Sequence, residues 1–232
     1  MNLNEVINRL KIHANPAALS QMARFGINPT AALAVKIPMI RALAKEIGRS
    51  HELAQQLWDS GIHEARILAG MVDDYRHVSE EQMERWVKDF NSWDLCDQVC
   101  SNLFDKTPFA YDKAKSWTVR NEEFVKRAGF ALMACLAVHD KKASDQQFLL
   151  FFPLIKKESV DERNFVKKAV NWALRQIGKR NLALNQAAIE LAHEIKTIDS
   201  KSARWIANDA LRELANPKRY TQRKFARCVA TL

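Results

Sequence analysis

The 232 residues are 47% hydrophobic and 27% charged, a balance that fits a globular chain of one or two domains and excludes disordered and fibrous classes. Six glycines and six prolines are too few for the turns an all-β chain needs every ~8–12 residues, so a mostly helical protein is expected. The net charge of +9 is unevenly spread: residues 1–109 hold 12 Lys/Arg against 14 Asp/Glu, whereas residues 110–232 hold 24 against 13. A basic C-terminal half favours nucleic acid, an anionic lipid surface or an acidic protein, and charge alone does not choose among them.

Met1 to Ala14 mixes Asn, Glu, Arg and Lys with apolar residues and has no apolar h-region, so no secretory signal is expected. Asn15-Pro16, Asn28-Pro29, Ile37-Pro38 and Thr107-Pro108 each read as a loop followed by a proline in a first helical turn. His51-Glu52 and His63-Glu64 begin like a zinc-protease helix, but Gln55 and Ile67 stand where the second histidine belongs, so no metal site is expected. Ser79 with Glu80-Glu81, and Ser92 with Asp94, supply N-caps and first-turn acids.

The helix expected from about Ser92 to Phe104 puts Leu95, Cys96, Val99 and Leu103 on one face, with Trp93 and Asp97 sharing the opposite edge. Cys96 and Cys100, four apart with no clustered partners, read as buried thiols rather than metal ligands. Gly-rich phosphate cradles and a Gly-x-Ser-x-Gly elbow are absent from the sequence. Four scattered cysteines without an export signal are expected to stay reduced, with the cytoplasm as the compartment. The longest apolar run, Phe130 to Val138, falls short of the ~18–20 residues that span a bilayer.

Phe124-Val125-Lys126-Arg127-Ala128 recurs 41 residues later as Phe165-Val166-Lys167-Lys168-Ala169, and Arg175 has a weaker echo at Arg212, 37 residues on. Spacings near 40 match HEAT and armadillo helix-pair repeats, which stack into a curved solenoid with a concave groove. On the helix from about Glu162 to Gly178, Val166, Ala169, Val170, Ala173 and Ile177 share the buried arc, while Trp172 lies among Lys168, Arg175 and Lys179. That indole is either covered by a neighbouring helix or is an aromatic surface flanked by phosphate-binding charges. Arg127, at the edge of a nearly all-apolar helix, either pairs with a carboxylate or reaches a phosphate. A single domain is expected through about Leu214, followed by a basic tail, Ala215 to Leu232, with five Lys/Arg and no acid.

Ser92-Trp93-Asp94-Leu95-Cys96-Asp97, Val125-Lys126-Arg127-Ala128 and Val166-Lys167-Lys168-Ala169-Val170-Asn171-Trp172-Ala173-Leu174-Arg175 together resemble the AlkD family of DNA alkylation repair glycosylases, from about Met22 to Glu213. The resemblance implies an all-α, HEAT-like solenoid that wraps duplex DNA in its concave face and removes cationic N3- or N7-alkylated purines. It also implies that Trp93 and Trp172 pack against the sugar and backbone of the lesion nucleotide, with Asp97 as catalytic carboxylate. By the same resemblance Arg127 and Arg175 hold phosphates beside the lesion. Phe25 stands where the family leads one to expect a tyrosine.

The chemistry is coherent with that implication. An N3- or N7-alkylated purine already carries positive charge and leaves without a general acid, so one carboxylate suffices to stabilise the oxocarbenium-like C1′ and orient water. Glycoside hydrolases, whose leaving oxygen must be protonated, normally need two. The expectation is therefore a monomeric, monofunctional DNA glycosylase in base excision repair that needs no metal or organic cofactor and acts on double-stranded DNA, not at a membrane. Lys126, Lys167, Lys168 and Lys179 are expected to add phosphate attraction. The alternative is a non-catalytic HEAT-type module that binds DNA or RNA structure, or an acidic protein, in the same groove.

Overall fold

The computed structural model describes residues 1–215, and every regular element among them is helical. The chain divides into two compact units, Met1–Asp112 and the residues from Lys113 onward. The basic tail expected after Leu214 lies, apart from Ala215, outside the described residues.

The first unit contains α1 (Leu3–Ile12), α2 (Leu19–Arg24), α3 (Ile37–Ile47), α4 (His51–Asp59), α5 (His63–Val72), α6 (Glu80–Lys88) and α7 (Trp93–Asn102). Short polar side chains start several of these helices by accepting a first-turn N–H. Asn2 and Glu5 form a reciprocal capping box at α1, and the Ser50 and Ser79 hydroxyls accept from Leu53 N and Gln82 N.

Proline placement is only partly as expected. Pro38 occupies the first turn of α3, but Pro16 opens no more than a 3₁₀ turn, Pro16–Ala18, and Pro108 precedes α8 (Ala110–Trp117) by two residues. No helix starts at Pro29: the Asn28 carboxamide accepts the Thr30 N–H, and the Leu33 and Val35 N–H groups are claimed by the Glu64 carboxylate. These side chains satisfy the backbone donors that a helix would otherwise use.

Six tryptophans divide by environment, and the division selects the candidates. Trp58, Trp86 and Trp117 are buried; Trp58 and Trp86 stack at 4.0 Å between ring centroids, and the Trp58 Nε1–H donates to Asp89 at 2.8 Å. These are core residues whose apolar burial contributes ~1.5–3 kcal/mol or more each. Trp93 and Trp172 are half-buried, and Trp205 is exposed.

The second unit contains α9 (Glu123–His139), α10 (Asp145–Leu149), α11 (Phe152–Glu158), α12 (Asn164–Gly178), α13 (Leu182–Lys196) and α14 (Lys201–Leu214). Every residue of α9 from Val125 to Ala137 is buried, as its uninterrupted apolar sequence demands. α12 packs along it, α14 packs on both α12 and α13, and the recurrent first turns lie side by side, with the Phe124 and Phe165 rings 5.7 Å apart. The 41-residue recurrence is thus a stacked structural repeat. On α12 the buried face is the expected one: Val166, Ala169, Val170, Ala173 and Ile177 are all buried.

Gly129 allows α9 its close approach to the preceding helix. A Cβ there would stand 2.8 Å from the Thr118 backbone nitrogen and 3.1 Å from the Ala114 carbonyl, distances that packed atoms do not tolerate without displacement.

Candidate nucleic-acid interface

In the first unit the site begins with the way α2 ends. Gly26 adopts φ 75°, its N–H donates to the Ala23 carbonyl, and the Ile27 N–H donates back to the Met22 carbonyl. This pair of bonds is a Schellman ending, and it requires the left-handed conformation that glycine adopts without a Cβ penalty. The reversal leaves the Phe25 carbonyl free of the helix, and it accepts the Trp93 Nε1–H at 2.9 Å. A helix terminus thereby fixes the orientation of the candidate indole.

Trp93 is the first residue of α7, and Asp97 lies one turn further along the same edge, both half-buried. The expected pairing of these two side chains on one helical edge is present. Ser92 precedes the helix, but its hydroxyl does not cap the backbone; it donates instead to Asp94 at 2.8 Å. Cys96 and Cys100 are buried on the opposite face.

Asp94 also bonds His63 Nε2 at 2.8 Å, joining the first turns of α5 and α7. Burial works against charge on His63, yet the hydrogen bond and negative charge of Asp94 outweigh it and raise the imidazole pKa. For Asp94 burial is likewise opposed and outweighed, here by His63, Ser92 and the Leu95 N–H, so its pKa is lowered. The two shifts, one up and one down, both favour the charged forms and describe a charged pair.

Beside it, Glu64 is buried and accepts the Leu33 N–H at 2.8 Å and the Val35 N–H at 3.3 Å. Those two bonds bracket Ala34, which is held at φ 57°, a left-handed conformation uncommon for a residue with a Cβ. Together these groups shape a cleft of about 240 Å³ lined by Met22, Phe25, Ile27, Ile37, His63 and Asp94. Phe25 itself is 63% exposed.

In the second unit α12 gathers Lys168, Trp172, Arg175 and Lys179 away from its buried face: Lys168 is exposed and the other three are half-buried. Lys168 has no ion pair among the described residues. Arg175 lies 2.6 Å from Glu213 and 3.6 Å from Asp209, and Lys179 lies 3.1 Å from Glu213. Burial would raise the Glu213 pKa, but Lys179 and Arg175 overcome this and lower it. Asp209 also accepts from Asn171 at 2.7 Å and pairs with Arg212.

Arg127 is 5% exposed and donates to the Phe165 carbonyl at 2.6 Å, tying α9 to the first turn of α12. Lys126 is 8% exposed and sits 2.6 Å from Glu158 and 3.5 Å from Asp161. Lys167 stands over the Trp205 ring, its ammonium 5.1 Å from the centroid. Equivalent basic positions of the repeat therefore have different environments: Lys126 is ion-paired and buried where Lys167 lies over an indole, and Arg127 is buried where Lys168 is exposed.

Sequence reasoning passed over four of these groups. His63-Glu64 drew notice only as a failed zinc motif and Asp94 only as a first-turn acid. Phe25 drew notice only as a departure from an expected tyrosine, although Phe25-Gly26 carried a readable signal, a glycine directly after a short helix. Trp205 carried none beyond being a tryptophan beside Arg204.

Stacked helix pairs with indoles and cations on their unburied edges define the class: an all-α, HEAT-like repeat protein. The model of the DNA alkylation repair enzyme family matches residues 6–215, and the chain belongs to that family. A solved structure from a family described as related to the HEAT-like repeat DNA glycosylases, with affinity for branched DNA structures, is similar at a TM-score of 0.76 and 20% identity. The match covers 91% of this chain and 95% of that one, and it shows the HEAT-like fold. A designed armadillo repeat protein in complex with the peptide (KR)4 matches at a TM-score of 0.34 and 15% identity, over 75% of this chain and 73% of that one. No curated protein matches the chain. No helix among the described residues is long and apolar enough to cross a membrane.

Proposed function

We propose that the protein is a monofunctional DNA glycosylase that hydrolyses the N-glycosidic bond of cationic N3- or N7-alkylated purines in duplex DNA. The observation that carries this reading is Trp93, oriented by its bond to the Phe25 carbonyl, with Asp97 one turn along the same half-buried edge. An aromatic plane and an anion presented together suit a deoxyribose that becomes cationic as its base departs. A scaffold that only binds phosphate gains nothing from a carboxylate at that position.

In this mechanism the positive charge of the alkylated base makes it a leaving group without protonation. Asp97 stabilises the oxocarbenium-like sugar and orients the water that attacks C1′, while Trp93 packs against the sugar. Trp172 joins it against the sugar and backbone, Arg175 holds a phosphate flanking the lesion, and Arg127 holds another by exchanging its bond to the Phe165 carbonyl. Lys167, Lys168 and Lys179 add attraction that salt screens, and Lys126 acts through its ion pair with Glu158, holding the helix that carries Arg127.

Release of 7-methylguanine or 3-methyladenine from methylated duplex DNA tests the reading, with Asp97→Asn beside the wild type. Asp97→Asn is expected to reduce release by about 100-fold or more, the scale on which preorganised electrostatic groups act. Wild-type protein that releases neither base rejects the enzymatic reading, and full activity in Asp97→Asn rejects the role of the carboxylate.

A second reading, non-catalytic binding of DNA structures, draws support from the related family with affinity for branched DNA. It expects salt-sensitive binding to branched DNA with no base released.

A further inference from the structure

α14 carries a feature that the proposed function leaves unused. Trp205 is 40% exposed, and an indole on a surface leaves a large apolar plane in water. It is not isolated: the Lys167 ammonium stands 5.1 Å over its ring, a cation–π arrangement that holds the charge and the plane together. Lys201, one turn before Trp205, and Lys168, next to Lys167, are both exposed, with no ion pair among the described residues. Arg204 is exposed and paired with Asp199 at 3.0 Å, the one carboxylate among the described residues bonded to this group.

The internal repeat places these residues in register. Offsets of 41 and 37 residues, the spacings of the sequence repeats, carry Arg127 of α9 to Lys168 of α12 and on to Trp205 of α14. α12 packs on α9 and on α14, so the three positions follow one another along successive helices of the stack. Where the first two place cations, the third places an aromatic plane with a cation already seated on it.

We infer that Trp205, with Lys167, Lys168 and Lys201, forms a second contact with the DNA backbone, separate from the one assigned to Trp172. The indole packs against a deoxyribose, and the ammonium groups around it neutralise the neighbouring phosphates. The chemistry recognised is that of a sugar–phosphate chain, alternating apolar and anionic along its length, which matches an apolar plane with one lysine seated on it and two exposed lysines on the same two helices. An acidic peptide would satisfy the lysines and leave the indole plane without a partner. This inference rests on the reading that duplex DNA is the ligand.

The test is the affinity of the full chain for undamaged duplex DNA across a salt series, for wild type, Trp205→Ala, Trp205→Phe and Lys201→Ala, with base release by the wild type measured alongside. Trp205→Ala is expected to weaken binding by about fivefold or more, and Trp205→Phe, which keeps an aromatic plane, by less. Lys201→Ala is expected to flatten the slope of log K against log salt by roughly 1. Trp205→Ala and Lys201→Ala variants that both bind as the wild type does overturn the inference; if the wild type still releases alkylated base, the proposed function survives that result. Wild-type protein with no affinity for duplex DNA overturns both.

Discussion

The Trp93 indole donates its one N–H to the Phe25 carbonyl at 2.9 Å, a bond between residues 68 positions apart. The orientation of the candidate indole therefore depends on how α2 terminates, and that ending depends on Gly26 at φ 75°. Gly26→Ala places a Cβ in the left-handed region at a cost of ~1 kcal/mol and displaces the carbonyl. Trp93→Phe keeps an aromatic ring and removes the donor, a loss of ~1 kcal/mol. Both variants are expected to remain folded and to release base more slowly than wild type; unchanged single-turnover rates in both dissociate the indole's orientation from activity.

The His63–Asp94 pair makes stability depend on pH in a defined window. His63 has its pKa raised, so its contribution is complete below the unfolded value of ~6.5 and is lost as pH rises through the folded value. Asp94 has its pKa lowered, so its contribution is complete above ~3.9 and is lost as pH falls through the folded value. Asp94→Asn, which leaves the buried His63 without its anion, is expected to destabilise the fold by ~3 kcal/mol at pH 5–6. Denaturant unfolding from pH 5 to 9 is expected to show the wild-type advantage shrinking at the alkaline end, and a constant difference refutes the charged pair.

Two lysines at neighbouring repeat positions are expected to behave oppositely. Lys126→Ala strands the buried Glu158 carboxylate, while Asp161 keeps its pair with Arg163, and is expected to cost ~3 kcal/mol of stability. Lys168→Ala alters an exposed side chain and is expected to change stability by less than ~0.5 kcal/mol while lowering the salt slope of DNA binding by roughly 1. Thermal unfolding and salt titration of the two variants check this contrast, which fails if both measurements move together.

Glu213 neutralises cations that the proposed function directs at phosphate. Its carboxylate lies 2.6 Å from Arg175 and 3.1 Å from Lys179, so a DNA phosphate must displace or share it. Glu213→Gln is expected to tighten duplex binding severalfold and steepen its salt dependence, at a modest cost in stability of ~1 kcal/mol, since the amide still accepts one hydrogen bond. Equal or weaker binding by Glu213→Gln in filter or fluorescence titrations contradicts phosphate binding by Arg175 and Lys179.

Features that depend on near neighbours in the chain are legible from residue order alone. Helix starts at Ser79 and Pro38, the buried arc of α12, the enclosure of α9 and the 41-residue repeat all follow from interactions within about one or two turns, which periodicity and capping residues record. The same locality placed Trp93 and Asp97 on one edge of α7. Which polar groups are already engaged emerges only on packing: Lys126 by Glu158, Arg175 by Glu213, His63 by Asp94 and Trp93 by the Phe25 carbonyl. Each of those partners lies more than 30 residues away in the chain. A lysine carries the same charge in the sequence whether it faces water or a carboxylate, and only packing brings that carboxylate within reach.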